Sequence, residues 1–184
     1  MNRKHSVALI TTVVLMTLGP APFFAAQDTD VAKYCAMLGS KDDNERETAV
    51  VELAKIGVPA VPGALAVLAH GEVYLGRMGA ARVLGQIRDA RAIKPLVGAL
   101  ADEYFSVREE ASRALIAIGG TTTVDEILGA LEQGGDNFLE AAAATLGALG
   151  DRRALPALEK LARHPNADVA KAASAAIRQL QQRE

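Results

Sequence analysis

Aromatic residues make up only 4% of this 184-residue chain, and tryptophan is absent. Ala, Leu, Val and Ile therefore carry most of the 50% hydrophobic content, which suits thin helices packed close together. The single cysteine, Cys35, excludes an intrachain disulfide. No excess of basic charge exists either. The net charge of −2 and pI near 6.0 give no global field for nucleic acid. Histidine is as scarce, with three in the chain. Outside the N-terminal segment only His70 and His164 remain, in similar places near the ends of helices three units apart. Helix layers spaced by roughly 8–10 Å per contact cannot bring them to one metal ion. No constellation for nucleophilic or acid–base catalysis is left, so no catalytic, cofactor-binding or metal-ligating residue is expected. The length suits one domain.

The N-terminus reads as a targeting segment. Asn2-Arg3-Lys4-His5 is a positive n-region, followed by 21 uncharged residues from Ser6 to Ala26. Cleavage after Ala26 is expected, although Phe24 stands where a small residue is preferred. Uncleaved, the run is long enough to span a bilayer, against which Pro20 and Pro22 argue. The positive flank places the rest of the chain outside the cytoplasm in either case. Residues 1–26 are read as a signal peptide or retained anchor, and 27–184 as the folded domain. Removing the leader takes two basic residues and no acid, leaving a net charge of −4.

The domain is periodic. Ala49, Ala80, Ala111, Ala142 and Ala173 recur every 31 residues. So do Leu53, Leu84, Leu115, Leu146 and Ile177, and Ile56, Ile87, Ile118, Leu149 and Leu180. These columns stand at i, i+4 and i+7, one face of a helix. Leu65, Leu96, Ile127 and Leu158 mark a second helix in each unit. Between the two lie Gly57-Val58-Pro59, Arg88-Asp89, Gly119-Gly120-Thr121-Thr122 and Gly150-Asp151. Glycine there stops one helix, and Asp or Thr can cap the next. Val31, Tyr34, Met37 and Leu38 fall one period before Pro62, Leu65, Leu68 and Ala69, which gives an N-terminal half-unit at 30–39. Four hairpins follow at about 42–164, then a C-terminal half-unit at 166–182. One hairpin cannot bury its own stripe, but a stack can. The expected fold is all-α, a right-handed α-solenoid with a 31-residue period.

The first-helix pattern Val107-Arg108-x-x-Ala111-x-x-Ala114-Leu115-x-x-Ile118-Gly119 resembles the HEAT-like repeat. The second-helix pattern appears as Ala92-Ile93-Lys94-Pro95-Leu96 and Ala154-Leu155-Pro156-Ala157-Leu158. The resemblance implies a scaffold, a binding module or one of several enzymes, because this repeat serves all three. The His-Glu pairing that HEAT-repeat iron hydroxylases use is missing. HEAT-like proteins that attach bilin pigments share the repeat, with no particular residue to carry over. A DNA-glycosylase relative would need a basic, aromatic-lined groove, which is absent.

Two surfaces are candidates for binding a protein. One edge repeats an arginine at Arg46, Arg77 and Arg108, with Tyr74 and Phe105 three residues before the last two and Tyr104 adjacent. Arg and Tyr are enriched at energetic hot spots. Alternatively, the arginines bridge layers to turn acids such as Asp43 and Asp89, while the aromatics pack over hairpin ends. The second surface is the concave face of the second helices, with Val67, Gly98, Gly129 and Lys160 in one column and His70, Ala101, Glu132 and Arg163 in another. Glycine inside a helix costs about 1 kcal/mol against Ala, so two in one column ask for a reason. Either a partner's backbone approaches them or neighbouring helices leave no room for a methyl. Cys35 reads as a half-buried structural thiol or as an intermolecular disulfide at the open end of the stack. The expected function is a non-catalytic scaffold or adaptor for a protein of the cell envelope, periplasmic or extracellular. It takes no nucleic acid, and it meets a membrane only through a retained leader. The alternative is a lyase-type HEAT-like protein holding an apolar ligand on the concave face.

Overall fold

Every first helix carries the periodic columns, and successive first helices start 31 residues apart. In the computed structural model, which describes residues 22–182 and side chains of residues 28–182, these helices are α2 (Asp43–Ile56), α4 (Tyr74–Ile87), α6 (Phe105–Ile118), α8 (Asp136–Leu149) and α10 (Ala167–Gln181). The second helices are α1 (Pro22–Met37), α3 (Val61–His70), α5 (Ile93–Ala99), α7 (Gly120–Ala130) and α9 (Leu155–Leu161). Among the described residues there is no strand, and the architecture is a helical-hairpin solenoid. One half-unit differs from expectation. α1 begins at Pro22 rather than at residue 30, because a proline at the first helical position loses no hydrogen bond and Ala25 and Ala26 sustain the helix behind it. The charged n-region and most of the apolar run lie outside the described residues. Among the described residues, no single helix is long and apolar enough to cross a membrane.

The alanine column is the hinge of the packing. All five alanines have no exposed surface, as do Leu53, Leu84, Leu115 and Leu146. The next column is shallower, with Ile56, Ile87, Ile118 and Leu149 half-buried and Leu180 buried. Small residues let first helices approach, and large ones fill the space between layers.

A two-unit alternation is superimposed on this period. In the second and fourth hairpins the first helix ends on a left-handed residue, Arg88 (φ 58) or Gly150 (φ 82). The carboxylates of Asp89 and Asp151 then accept from the N–H groups of Arg91 and Arg153, both at 2.9 Å. In the first and third hairpins the stops are Gly57 (φ 73, ψ −134) and Gly119 (φ 66, ψ −159), a conformation open to glycine alone. No side chain caps the following helix there. Thr121 and Thr122 were the expected caps and do not cap α7, while the next residue, the buried Thr123, donates its hydroxyl back to the Gly119 carbonyl at 2.5 Å. Helix spacing alternates too. A Cβ on Gly85 would lie 2.8 Å from Ala114 Cα, and one on Gly147 2.7 Å from Ala176 Cα, so α4–α6 and α8–α10 meet backbone to backbone. Between α6 and α8 a Ser112–Thr145 hydroxyl pair at 2.7 Å fills the contact instead.

Candidate binding surfaces

The arginine column is a lock inside the stack. Each arginine stands in the first turn of a first helix and reaches back to the carbonyl six residues earlier. Arg46 donates to Ser40 O at 2.7 Å, Arg77 to Gly71 O at 2.8 Å and Arg108 to Asp102 O at 2.9 Å. These contacts satisfy the connection entering each helix. Arg77 also makes a bidentate pair across a layer, with Nε 2.7 Å from Asp102 Oδ2 and Nη2 3.1 Å from Oδ1. The two side chains are 14% and 11% exposed. Burial pushes the Asp102 carboxyl up, but hydrogen bonds from Arg77 and from the Tyr104 N–H outweigh it and hold it below its ordinary range. Of the three arginines only Arg77 bridges layers, since Arg46 pairs within its own helix and Arg108 reaches only carbonyls of its own connection. Arg46 reaches Asp43, whereas Asp89 is held by Arg91, and Arg77 takes Asp102.

Outside that lock lie the aromatics. Tyr74 and Tyr104 stack with ring centroids 4.5 Å apart and planes 12° apart, with the Arg77 guanidinium 5.7 Å from the Tyr104 ring. Arg108 stands 5.7 Å from the Phe105 ring. Rather than folding over hairpin ends, Phe105 remains 65% exposed, Val73 47% and Tyr104 43%. Structure thus splits the predicted set. Arg77 and Arg108 are turned inward, and the apolar groups are left outside.

On the second-helix face Gly98 and Gly129 line a groove of about 740 Å³ together with Lys94, Thr122, Asp125, Glu126 and Phe138. The crowding explanation for these glycines fails, since a Cβ at either would meet nothing within 4 Å. A second groove of about 520 Å³, under Leu68, His70 and Asp102, shares Gly98 and Ala101 with the first. Lys160 and Arg163 do not join this channel. They line a separate depression beside His164. Val67 is half-buried toward Gly76 and lies off the open face.

Among the described residues no three of His, Cys, Asp and Glu come together as a metal ion requires. His164 Nδ1 accepts from Asn166 N at 3.2 Å at the entry to α10, a structural position. Cys35 is half-buried, and burial pushes its thiol above the usual value. Its sulfur lies over Gly63, where a Cβ would approach it to 2.9 Å.

A family profile described as HEAT repeats matches residues 31–116 and again 93–178, two placements offset by two structural units. The chain belongs to the HEAT-repeat family. This HEAT-repeat chain is also 35% identical over 83 residues to the phycocyanobilin lyase subunit alpha of Picosynechococcus sp.. That match covers 41% of the chain and only 31% of the relative, so the chain spans about a third of the relative's length. Among solved structures it resembles the complex of CpcE and CpcF of phycocyanin lyase from Nostoc sp. PCC7120, at 28% identity and a TM-score of 0.53. The likeness covers 81% of this chain and 64% of that one.

Val73 was not among the residues that the sequence singled out. The missing signal was columnar. Val73 and Tyr104 occupy the cap position that Asp42 and Asn166 hold in the outer HEAT layers.

Proposed function

We propose that this HEAT-repeat chain is a non-catalytic scaffold that binds a protein partner on its concave face, outside the cytoplasm. The observation that carries the reading is the pair of open glycines. Gly98 and Gly129 are the second-to-last residues of α5 and α7, at ordinary φ, with empty space where a methyl would go. Helix stability argues for Ala at both places, and no internal contact argues for Gly. A floor without side chains lets a partner's main chain lie close to the helix backbone, with Lys94, Asp125 and Glu126 positioned beside it. The extracytoplasmic assignment is supported by the charged and apolar N-terminal segment. The partner would be a protein of the cell envelope.

A second reading draws on the relatives. Likeness to phycocyanobilin lyase subunit alpha and to a two-protein lyase complex supports a lyase-type subunit that pairs with a second protein, its groove taking the pigment or its carrier. One experiment separates the two. The full chain and a Gly98→Leu/Gly129→Leu variant are crosslinked in the native envelope fraction, and in parallel titrated with free phycocyanobilin while absorbance is followed. A protein captured by the wild type and lost with the filled groove supports the scaffold reading. A spectral shift on titration, lost with the filled groove and unaccompanied by protein capture, supports the lyase-type reading. Equal capture by both chains removes the concave face as the site.

A further inference from the structure

The edge where second helices hand over to first helices is unlike the rest of the surface in one ordered way. Five residues set the entry to a first helix, and four share nearly the same backbone: Asp42 (φ −82, ψ 122), Val73 (φ −92, ψ 123), Tyr104 (φ −87, ψ 123) and Asn166 (φ −76, ψ 121), whereas Gly135 (φ −76, ψ 173) enters α8 with no side chain to cap it. Asp42 accepts from Asn44 N at 2.7 Å, and Asn166 accepts from Asp168 N at 2.9 Å, each satisfying a free helix N–H. Val73 and Tyr104 can do neither. The next position repeats the contrast. Asp43 and Asp136 put acids at the start of α2 and α8, where they suit the helix dipole, whereas Tyr74 and Phe105 start α4 and α6. In two adjacent middle layers, capping chemistry has been replaced by apolar side chains, of which Val73, Tyr104 and Phe105 remain in solvent and Tyr74 is half-buried. Val73, Tyr104 and Phe105 are half of the six large hydrophobics exposed on the described surface. Scattered exposed hydrophobics need no explanation, but a cluster at positions that would otherwise hold caps does.

Charge identifies the occupant. Glu72 is exposed beside Val73, and Glu103, with its side chain 77% exposed, stands beside Tyr104. The neighbouring cations face inward, Arg77 onto Gly71 O and Asp102, Arg108 onto the carbonyls of Asp102 and Glu103. What the edge presents outward is therefore an apolar centre flanked by the two guanidiniums, with two exposed carboxylates at its rim, Glu103 standing 3.8 Å from Arg77 Nη2. We propose that this edge, built by Val73, Tyr74, Tyr104 and Phe105 with Glu72 and Glu103, docks a polypeptide segment of a partner protein in which lysine or arginine alternates with apolar residues. The apolar side chains cover Val73 and Phe105, and the cations meet the two glutamates. The proposal adds a second contact surface to the scaffold reading and rests on it.

The test is fluorescence polarisation of the full chain with two labelled 12-residue peptides, one alternating lysine with leucine and the other glutamate with leucine. The lysine peptide binds at least tenfold more tightly, and its affinity falls as salt rises. In Val73→Ser/Phe105→Ser, which changes no charge, that affinity drops at least tenfold while the thermal midpoint rises by about 2–4 °C, because the hydroxyl introduced at position 73 restores a cap. Glu72→Gln/Glu103→Gln weakens binding several-fold and flattens the salt dependence. Gly129→Leu leaves the peptide affinity unchanged, so failure of the concave-groove reading and failure of this one are distinguishable. Equal binding of both peptides, or full affinity in Val73→Ser/Phe105→Ser, overturns the proposal. Sedimentation that shows the wild type self-associating and the serine variant monomeric also overturns it, in favour of a second copy of this chain on the edge.

Discussion

Removing the Asp102 carboxylate should loosen the joint between the second and third hairpins by an amount the geometry sets. Asp102→Ala deletes two charge-assisted hydrogen bonds to Arg77, at 2.7 and 3.1 Å, and one from the Tyr104 N–H at 2.9 Å. Charged hydrogen bonds contribute about 1.5–3 kcal/mol each when a partner is left unsatisfied. Here Arg77 keeps Gly71 O and has Glu103 Oε1 at 3.8 Å to turn toward, so the loss is partly offset. We expect about 2 kcal/mol, which for a chain of this size lowers the thermal midpoint by about 4–8 °C. Arg113→Ala is the control, because that guanidinium is 59% exposed in its pairs with Glu109 and Glu110 and should leave the midpoint almost unchanged. The pH dependence has a definite sign. The Asp102 carboxyl is held below its ordinary range, so its stabilisation is fully present above the unfolded value of about 3.9 and is lost as pH falls through the lower folded value. The gap between wild type and Asp102→Ala should therefore be constant from about pH 7 to 5 and close below about pH 4. Urea or thermal melts at each pH measure it. If Asp102→Ala costs no more than Arg113→Ala, or if the gap persists in acid, the lock does not hold the layers together.

The same substitution should act with opposite signs on the two sides of the stack. Gly98→Ala and Gly129→Ala, which add a methyl to open space, should each raise stability by about 0.5–1 kcal/mol in a denaturant melt. Gly85→Ala and Gly147→Ala, whose new Cβ would lie 2.8 and 2.7 Å from a neighbouring Cα, should each lower it by about 1–3 kcal/mol. Arg88→Gly relieves a left-handed residue at φ 58 and should stabilise by about 0.5–1 kcal/mol by the same assay. The Cys35 thiol, pushed up by burial, should alkylate more slowly than free cysteine at about pH 7 and respond mainly above about pH 8.5.

How much of this was legible in the sequence differs from residue to residue. The alanine and leucine columns were, because a stack repeats each burial environment every 31 residues and so repeats the residue type. Start sites of α2, α4, α6, α8 and α10 followed from the same register. Gly98 and Gly85 were not separable, although one faces open groove and the other a helix backbone, since both are glycines inside helices. The arginines stood out as a column, but a column cannot say whether its side chains point outward or back to the preceding carbonyls. Val73 was hidden because its meaning lies in departure from Asp42 and Asn166, and that becomes visible once all four share a backbone conformation. Turn alternation escaped notice for a related reason. Arg88 stands in one column with Gly57, Gly119 and Gly150, and all four have positive φ; it is ψ, 36 and 10 against −134 and −159, that pairs Arg88 with Gly150 and sets them apart from Gly57 and Gly119.

Site-specific photo-crosslinking tests the central claim most directly. A photo-reactive residue is placed at position 98, on the floor of the concave groove, and separately at position 113, on an exposed first-helix surface. With the partner in the groove, a protein is trapped from position 98 and not from position 113. Trapping from position 113 alone would contradict it and would move the binding surface to the first helices.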